Sequence, residues 1–230
     1  MRVLALIILL CFPSTAFADW QGPKQGQVRL VKLSDEATPY GLEFRLQFGW
    51  HTYWGLPGDA GLPPRVTLNG VDVPMHFPKP DVISEEGVIT FGYIDHVVLP
   101  LTVDADAEGK LRLDYGICAD ICIPVRAELV LGDAPRAAMP LIPAQVNTPL
   151  RVKAEDTRLV LLNNMTGFVL LGVGADYAVQ GTVDDRDWAV FDLGSAAEVE
   201  RALTQPLFLY RYDGHVAERY AVQPSNDGSN

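Results

Sequence analysis

Apolar and polar residues alternate with period two along much of the first 140 residues. Residues 42–48, Leu-Glu-Phe-Arg-Leu-Gln-Phe, show the alternation most clearly, as a strand with one buried face requires. Gly and Pro separate the alternating runs, and helical periodicity is absent. We predict strands at residues 27–33, 42–48, 65–68, 88–93, 97–103, 111–117 and 124–131. Short strands at this spacing indicate an all-β sandwich.

Prolines interrupt the alternation at positions 135, 140, 143 and 149. Repeated proline removes hydrogen-bond donors from a sheet and stiffens the backbone, so we predict an interdomain linker at 135–150. Beyond it, Ser195 and Glu198 form a capping box that predicts a short helix over Ala196–Leu203. Further strands are predicted at 158–162, 167–173, 188–193, 206–212 and 216–222. We predict that this half is a second, smaller immunoglobulin-like β-sandwich domain, 151–223, followed by a disordered tail, 224–230.

The N-terminus has the features of a cleavable export signal. Arg2 precedes an apolar run at residues 3–12, and Ala16-Phe17-Ala18 is a small-x-small cleavage site. The run is shorter than the roughly 20 residues that span a bilayer. We therefore predict a signal peptide at 1–18, cleavage after Ala18 and a soluble exported protein. Cys11 is removed with the peptide.

The chain is acidic, with a formal net charge of −11. Because binding to nucleic acid depends on cations that neutralise phosphates, this composition argues against a nucleic-acid partner. We interpret the acidity as a solvated surface that keeps an exported protein soluble.

Two cysteines remain after export, Cys118 and Cys122, between two predicted strands. They should therefore lie at the tip of a strand-loop-strand unit, where another protein can reach them. Closing a five-residue loop stabilises a fold by only about 2 kcal/mol, against about 4.7 for a hundred-residue loop. The spacing thus favours redox chemistry over a structural staple, although a non-catalytic module with a structural disulfide stays open as an alternative.

Acidic residues surround the pair. Asp120 lies between the cysteines and Asp114 precedes them, with no Lys or His within several residues. Negative charge disfavours a thiolate, but the oxidised pair can still be attacked by a more reactive thiol. We therefore expect a relay whose disulfide accepts electrons from one protein and whose dithiol reduces another.

Two segments carry a family resemblance. Residues 115–124, Tyr-Gly-Ile-Cys-Ala-Asp-Ile-Cys-Ile-Pro, together with Gly-Trp-His-Thr-Tyr-Trp at 49–54, resemble the N-terminal periplasmic domain of the DsbD and ScsB disulfide reductases. The three-residue gap between the cysteines is more similar to the ScsB-like branch, which pairs two immunoglobulin-like folds in tandem.

The resemblance implies an immunoglobulin-like redox domain at 19–134 in the periplasm, with Cys118 and Cys122 catalytic and no cofactor besides their disulfide. It implies a membrane-embedded DsbD- or CcdA-like electron donor and periplasmic thioredoxin-like acceptors. Because the chain has neither transmembrane segments nor a thioredoxin-like domain, the donor must be a separate protein. We expect Cys122 to contact the downstream acceptor.

Family members shield their cysteines with a cap loop and aromatic side chains. By position, residues 83–87 are the candidate cap, although a solvated turn is the simpler interpretation of its two glutamates. An aromatic beside a strand is likewise more often part of the core. The candidate shielding or pKa-tuning residues are Tyr53, Trp50, Trp54, Glu85, Glu86, Asp114, Tyr115 and Asp120.

A copper chaperone of the Sco type is the rival class, since a CxxxC pair with a distant histidine binds copper there. The candidate ligands are His51, His76, His96 and His215. None has a ligand-like spacing to another, and the Sco scaffold is thioredoxin-like, whereas the pattern here is all-β.

Overall fold

The computed structural model describes residues 20–164, 168–174, 177–184, 188–214 and 216–225. Within them the chain forms eighteen strands and one helix, which confirms the all-β prediction. The predicted signal peptide, His215 and residues 226–230 of the predicted tail lie outside the described residues. The first ten strands are β1 (Gly26–Lys32), β2 (Tyr40–Leu46), β3 (His51–Gly58), β4 (Arg65–Leu68), β5 (Val71–Asp72), β6 (Asp81–Glu85), β7 (Val88–Ile94), β8 (His96–Leu101), β9 (Lys110–Cys118) and β10 (Cys122–Val130). The rest are β11 (Ala144–Glu155), β12 (Arg158–Asn164), β13 (Phe168–Val173), β14 (Tyr177–Gln180), β15 (Thr182–Val183), β16 (Trp188–Asp192), α1 (Ala196–Leu203), β17 (Leu207–Asp213) and β18 (Val216–Pro224).

Two sheets pack face to face in the first half as an immunoglobulin-like sandwich. One has the order β1-β2-β8; the other has the order β5-β4-β9-β3-β7-β6, with β10 also paired to β9. Alternate residues of β9, among them Leu111, Leu113 and Ile117, point into the shared core and are fully buried. Each such side chain contributes roughly 1.5–3 kcal/mol through its burial.

Strand β3 is absent from the sequence prediction because its residues do not alternate. Seven of its eight residues are buried, so neither face carries the polar positions that reveal a strand with one wet face. The predicted strand at 42–48 is too long at its end. The backbone turns after Leu46 through Gly49, whose φ is +83°, and Phe48 is 98% exposed.

The second half forms one eight-stranded sheet in the described chain, with the order β14-β13-β17-β18-β11-β12-β16-β15. The sheet encloses a second apolar core, to which α1 contributes Val199 and Ala202. The helix has the predicted bounds, and the Glu198 amide donates to Ser195 Oγ at 3.2 Å. The capping residues thus begin the helix where the sequence indicates.

Much of the segment predicted as an interdomain linker, 135–150, is instead hydrogen-bonded into the sheets of the two halves. The Lys32 amide donates to the Pro135 carbonyl at 2.8 Å, and the Ala137 amide donates to the Lys32 carbonyl at 3.0 Å, so this stretch extends the edge of β1. Strand β11 begins at Ala144 and runs parallel to β18, with a register shift between Val146 and Leu150. Pro149 lies in that irregularity, where a residue without an amide hydrogen is tolerated inside a sheet.

The two halves contact each other through β3. The Trp54 ring meets the Tyr210 ring edge-to-face, with 4.9 Å between centroids. Leu170 and Ala178 of the second half also belong to the first core. The second half therefore supports the strand that runs beside the cysteines.

Candidate functional site

The two cysteines face each other at the end of the β9–β10 hairpin and form a disulfide. Cys118 is the last residue of β9 and Cys122 the first of β10, and the register pairs them directly. Their exposure differs: Cys118 is 1% exposed, whereas Cys122 is open to solvent. An external thiol can therefore reach Cys122 more readily than Cys118.

Tyr53 covers the buried sulfur. Strand β3 pairs with β9 so that His51 lies opposite Cys118, and two residues further along β3 the Tyr53 side chain reaches the sulfurs. Its hydroxyl donates to Cys118 Sγ and lies 3.3 Å from Cys122 Sγ. Burial, with a smaller effect of Glu85, raises the pKa of Tyr53. The hydroxyl thus stays protonated and available as a donor.

Two glycines make room for the Tyr53 ring. A Cβ on Gly61 would lie 2.4 Å from Tyr53 Cδ1, and a Cβ on Gly116 would lie 3.1 Å from Tyr53 Cε2. Gly61 also has a φ of +152°, which side chains disfavour. The ring position therefore depends on the absence of side chains on both sides.

His51 is buried next to this group. Its ring packs edge-to-face on Tyr53 with 5.2 Å between centroids. Burial lowers the pKa of His51, although the charge of Glu85 acts in the opposite direction. A neutral imidazole beside Cys118 is the result. Sequence reasoning considered His51 only as a copper ligand; its place in the 49–54 motif was the available signal.

A pocket of about 680 Å³ opens over the disulfide. The candidate cap at residues 83–87 is the end of β6 and the turn into β7, with Glu86 and Gly87 both at positive φ. Glu85 and Glu86 from this hairpin, together with Asp120, line the pocket. The sulfurs thus lie among three carboxylates, two of them distant in sequence.

The other candidate residues lie away from the sulfurs. Trp54 points to the opposite face of β3 from Tyr53 and packs on Phe91 and Tyr210, while Trp50 packs against the first core. The Tyr115 hydroxyl donates to the Gly26 carbonyl at 2.8 Å. Asp114 pairs with Arg126 at 2.6 Å, outside the disulfide pocket. Of the predicted set, Tyr53, Glu85, Glu86 and Asp120 join the cysteines.

The three histidines that the structure describes, His51, His76 and His96, do not assemble into a metal site. His76 bonds with Thr102 Oγ1 at 2.7 Å, and His96 pairs with Glu43 at 2.9 Å. No group of three or more His, Cys, Asp or Glu side chains among the described residues is arranged to hold a metal ion. Nor does the described part of the chain contain a helix with the length and hydropathy of a membrane span.

Comparisons with known proteins agree with this geometry. Residues 21–134 match the family described as "Thiol:disulfide interchange protein DsbD, N-terminal". The crystal structure of the N-terminal periplasmic domain of ScsB from Proteus mirabilis is similar in fold, with a TM-score of 0.64 and 19% identity over 90% of this chain and 98% of that one. The reduced N-terminal domain of DsbD from Neisseria meningitidis aligns with a TM-score of 0.33 and 21% identity, over 46% of this chain and 84% of that one. No curated protein matches the sequence.

The family match and the presence of a disulfide-bonded cysteine pair within the matched residues support thiol-disulfide exchange as the general activity. The chain carries, at residues 21–134, a domain of the DsbD N-terminal family.

Proposed function

We propose that this protein relays electrons in the periplasm. Its disulfide accepts them from a separate membrane-embedded DsbD- or CcdA-like reductase, and its dithiol passes them to thioredoxin-like or other thiol proteins. The observation that carries the proposal is the asymmetry of the pair, with Cys118 buried beneath Tyr53 and Cys122 exposed. A carrier needs one sulfur that partners can reach and one that resolves the intermediate.

Reduction begins when a thiolate of the donor attacks Cys122 Sγ. A donor–Cys122 disulfide forms, the Cys118–Cys122 bond breaks, and Cys118 leaves as a thiolate with the electron pair. The Tyr53 hydroxyl, already directed at Cys118, stabilises that charge. The donor's second thiol then attacks the donor sulfur that is bonded to Cys122. A disulfide forms within the donor, Cys122 is released as a thiolate, and the Cys118–Cys122 pair is left reduced.

Delivery follows the same steps in reverse. The Cys122 thiolate attacks the acceptor's disulfide, one acceptor sulfur leaves as a thiolate, and a Cys122–acceptor disulfide forms. Cys118 then attacks Cys122, which restores the Cys118–Cys122 bond and releases the acceptor as a dithiol. Two electrons pass from donor to acceptor over the cycle.

The surrounding charge favours this carrier role over that of a general reductant. Glu85, Glu86 and Asp120 line the pocket, and negative charge opposes formation of a thiolate there. The reduced pair is therefore slow to attack arbitrary disulfides. Partners with a cation beside their reactive cysteine offset the acidic surroundings on docking.

Trapping of mixed disulfides in cells tests the proposal. We expect full-length Cys118→Ser, which keeps the exposed thiol, to accumulate disulfide-linked complexes with a membrane reductase and with thioredoxin-like proteins. Cys122→Ser should accumulate far fewer. Capture of neither class by either variant would refute the relay. N-terminal sequencing of the exported chain checks the expected start at Asp19.

A further inference from the structure

The disulfide shares one face of its sheet with a cross-strand row of charged residues, in which Asp114 lies between Arg65 and Arg126. Directly opposed residues of antiparallel strands point to the same face, and every second residue repeats it. The register pairs Cys118 with Cys122 and Asp114 with Arg126, and it places Arg65 of β4 opposite Asp114. The disulfide and this row therefore lie four residues apart on one face, about 13 Å along the strands.

An apolar groove fills the space beside these residues. It has a volume of about 760 Å³, and its walls include Leu62, Pro63 and Pro124. The Gly116 amide donates to the Leu62 carbonyl at 3.1 Å, and a Cβ on Gly116 would lie 2.6 Å from Leu62 Cβ. The missing side chain thus lets the loop at residues 59–64 pack closely on β9 as the wall between the groove and Tyr53.

The groove has an uncompensated positive charge at its far end. Arg126 is paired with Asp114 at 2.6 Å. Arg112 lies 3.8 Å from the same carboxylate and faces Glu128 across the next pair of the register. Arg65 is exposed and forms no ion pair with any residue that the structure describes.

The two ends of this surface are therefore opposite in sign. Three carboxylates line the pocket at the disulfide, whereas the charged residues lining the groove are Arg65, Arg126 and Asp114, a net charge of +1. The chain as a whole carries −11. A partner that is complementary here presents an acidic group to Arg65, at a fixed distance from its own sulfur.

We propose that the groove receives an extended segment of the exchange partner next to its reactive cysteine. The segment places an apolar side chain on Leu62 and Pro124, and it carries an Asp or Glu four residues from the cysteine that pairs with Arg65. Four extended residues span about 13 Å, which matches the separation along the strands. Arg65 and Cys122 also lie on either side of β9, so their direct separation is about 16 Å, and the arginine and carboxylate side chains cover the difference. The inference rests on the proposed relay and adds how the partner is recognised.

Short synthetic peptides test the spacing. Each carries one cysteine as a mixed disulfide with thionitrobenzoate, with Asp four residues before or after it. The matched peptides have Asn at that position or Asp next to the cysteine. In reduced full-length Cys118→Ser, with Cys11 also replaced by Ser, the Cys122 thiolate attacks the peptide sulfur, a peptide–Cys122 disulfide forms, and thionitrobenzoate leaves with the electron pair, so its absorbance gives the rate.

We expect one of the peptides with Asp four residues away to react about threefold faster than its Asn counterpart, as an exposed ion pair allows. The advantage should disappear when Arg65→Gln is added and at about 1 M salt, where the screening length is about 3 Å. It should persist with Arg151→Gln, which removes an exposed arginine of β11.

Equal rates for the Asp and Asn peptides, or an advantage that survives Arg65→Gln, would overturn the groove inference. The relay would still stand in that case, because the peptides would have formed disulfides with Cys122. If no peptide reacts with Cys122, the proposed role of that sulfur fails, and the groove inference fails with it.

Discussion

The Tyr53 hydroxyl donates a hydrogen bond to the buried sulfur of Cys118. In the proposed relay, the same sulfur becomes the leaving thiolate when a donor attacks Cys122. A hydrogen bond to a charged acceptor is stronger than one to a neutral acceptor, so this contact strengthens as the disulfide opens. Tyr53 thus covers the oxidised pair, and we infer that it also promotes its reduction.

Replacement of Tyr53 tests this dual role. In Tyr53→Phe we expect reduction by dithiothreitol to slow about tenfold, because hydrogen bonds to charged groups contribute about 1.5–3 kcal/mol and about 1.4 kcal/mol corresponds to tenfold in rate. Timed alkylation of the thiols measures the rate. Tyr115→Phe is the matched control, since it removes a buried hydrogen bond to the Gly26 carbonyl and should leave the rate unchanged. Equal rates in wild type and Tyr53→Phe would contradict the role.

Gly61→Ala should affect the same step without touching the hydroxyl. The added Cβ would lie 2.4 Å from the Tyr53 ring, so the ring must move and the bond to Cys118 weakens. We expect slower reduction, in the direction of Tyr53→Phe. Gly70→Ala controls for backbone strain, because Gly70 also has positive φ but no atom within 4 Å of an added Cβ. The packing account fails if both alanine variants behave alike.

The double variant Cys118→Ser, Cys122→Ser separates a redox pair from a structural staple. Because the closed loop is short, we expect the free energy of unfolding to fall by no more than about 2 kcal/mol, while all exchange activity is lost. Urea unfolding and the rate of thiol-disulfide exchange with oxidised thioredoxin supply the two readouts. A structural disulfide predicts the reverse, with a large loss of stability and function retained.

His51 should make the fold sensitive to mild acid. Burial lowers its pKa in the folded chain, whereas the unfolded chain has the ordinary value of about 6.5, so the unfolded state binds more protons below that pH. Stability rises with pH wherever the unfolded state binds more protons. The His51 contribution is therefore constant above pH about 6.5 and is lost as the pH falls toward the lowered folded pKa.

Urea unfolding at a series of pH values measures the effect. We expect the free energy of unfolding of the wild type to decline more steeply below pH about 6.5 than that of His51→Gln. Parallel curves for the two proteins would show that His51 does not titrate differently on folding.

Sequence patterns identified the elements with one buried face. Strands β9 and β10 alternate, so their hairpin and the cysteines at its tip follow from the residues alone. The α1 capping box works in the same way, since its signal is local. The pair Tyr53 and Trp54 shows the limit: both entered as candidate shields, but only the structure shows which face of β3 each one occupies.

Other features depend on contacts between distant segments. Strand β3 is buried on both faces by the sandwich, the loop at 59–64 and the second half, so it lacks the alternation that marks a half-exposed strand. The position of Arg65 on the disulfide face follows from pairing across 49 residues, Arg65 with Asp114. No turn joins β4 directly to β9, so the local turn geometry that fixes the register of a hairpin gives no signal for this pair.

The central claim is that partners attack Cys122 and that Cys118 leaves. The most direct measurement uses the oxidised wild-type chain and a reduced thioredoxin whose resolving cysteine has been replaced, so that the mixed disulfide persists. Proteolysis under acid conditions and tandem mass spectrometry then locate the linkage. The account predicts that the thioredoxin is joined to Cys122, with Cys118 recovered as a free thiol. A linkage to Cys118, with Cys122 free, would contradict it.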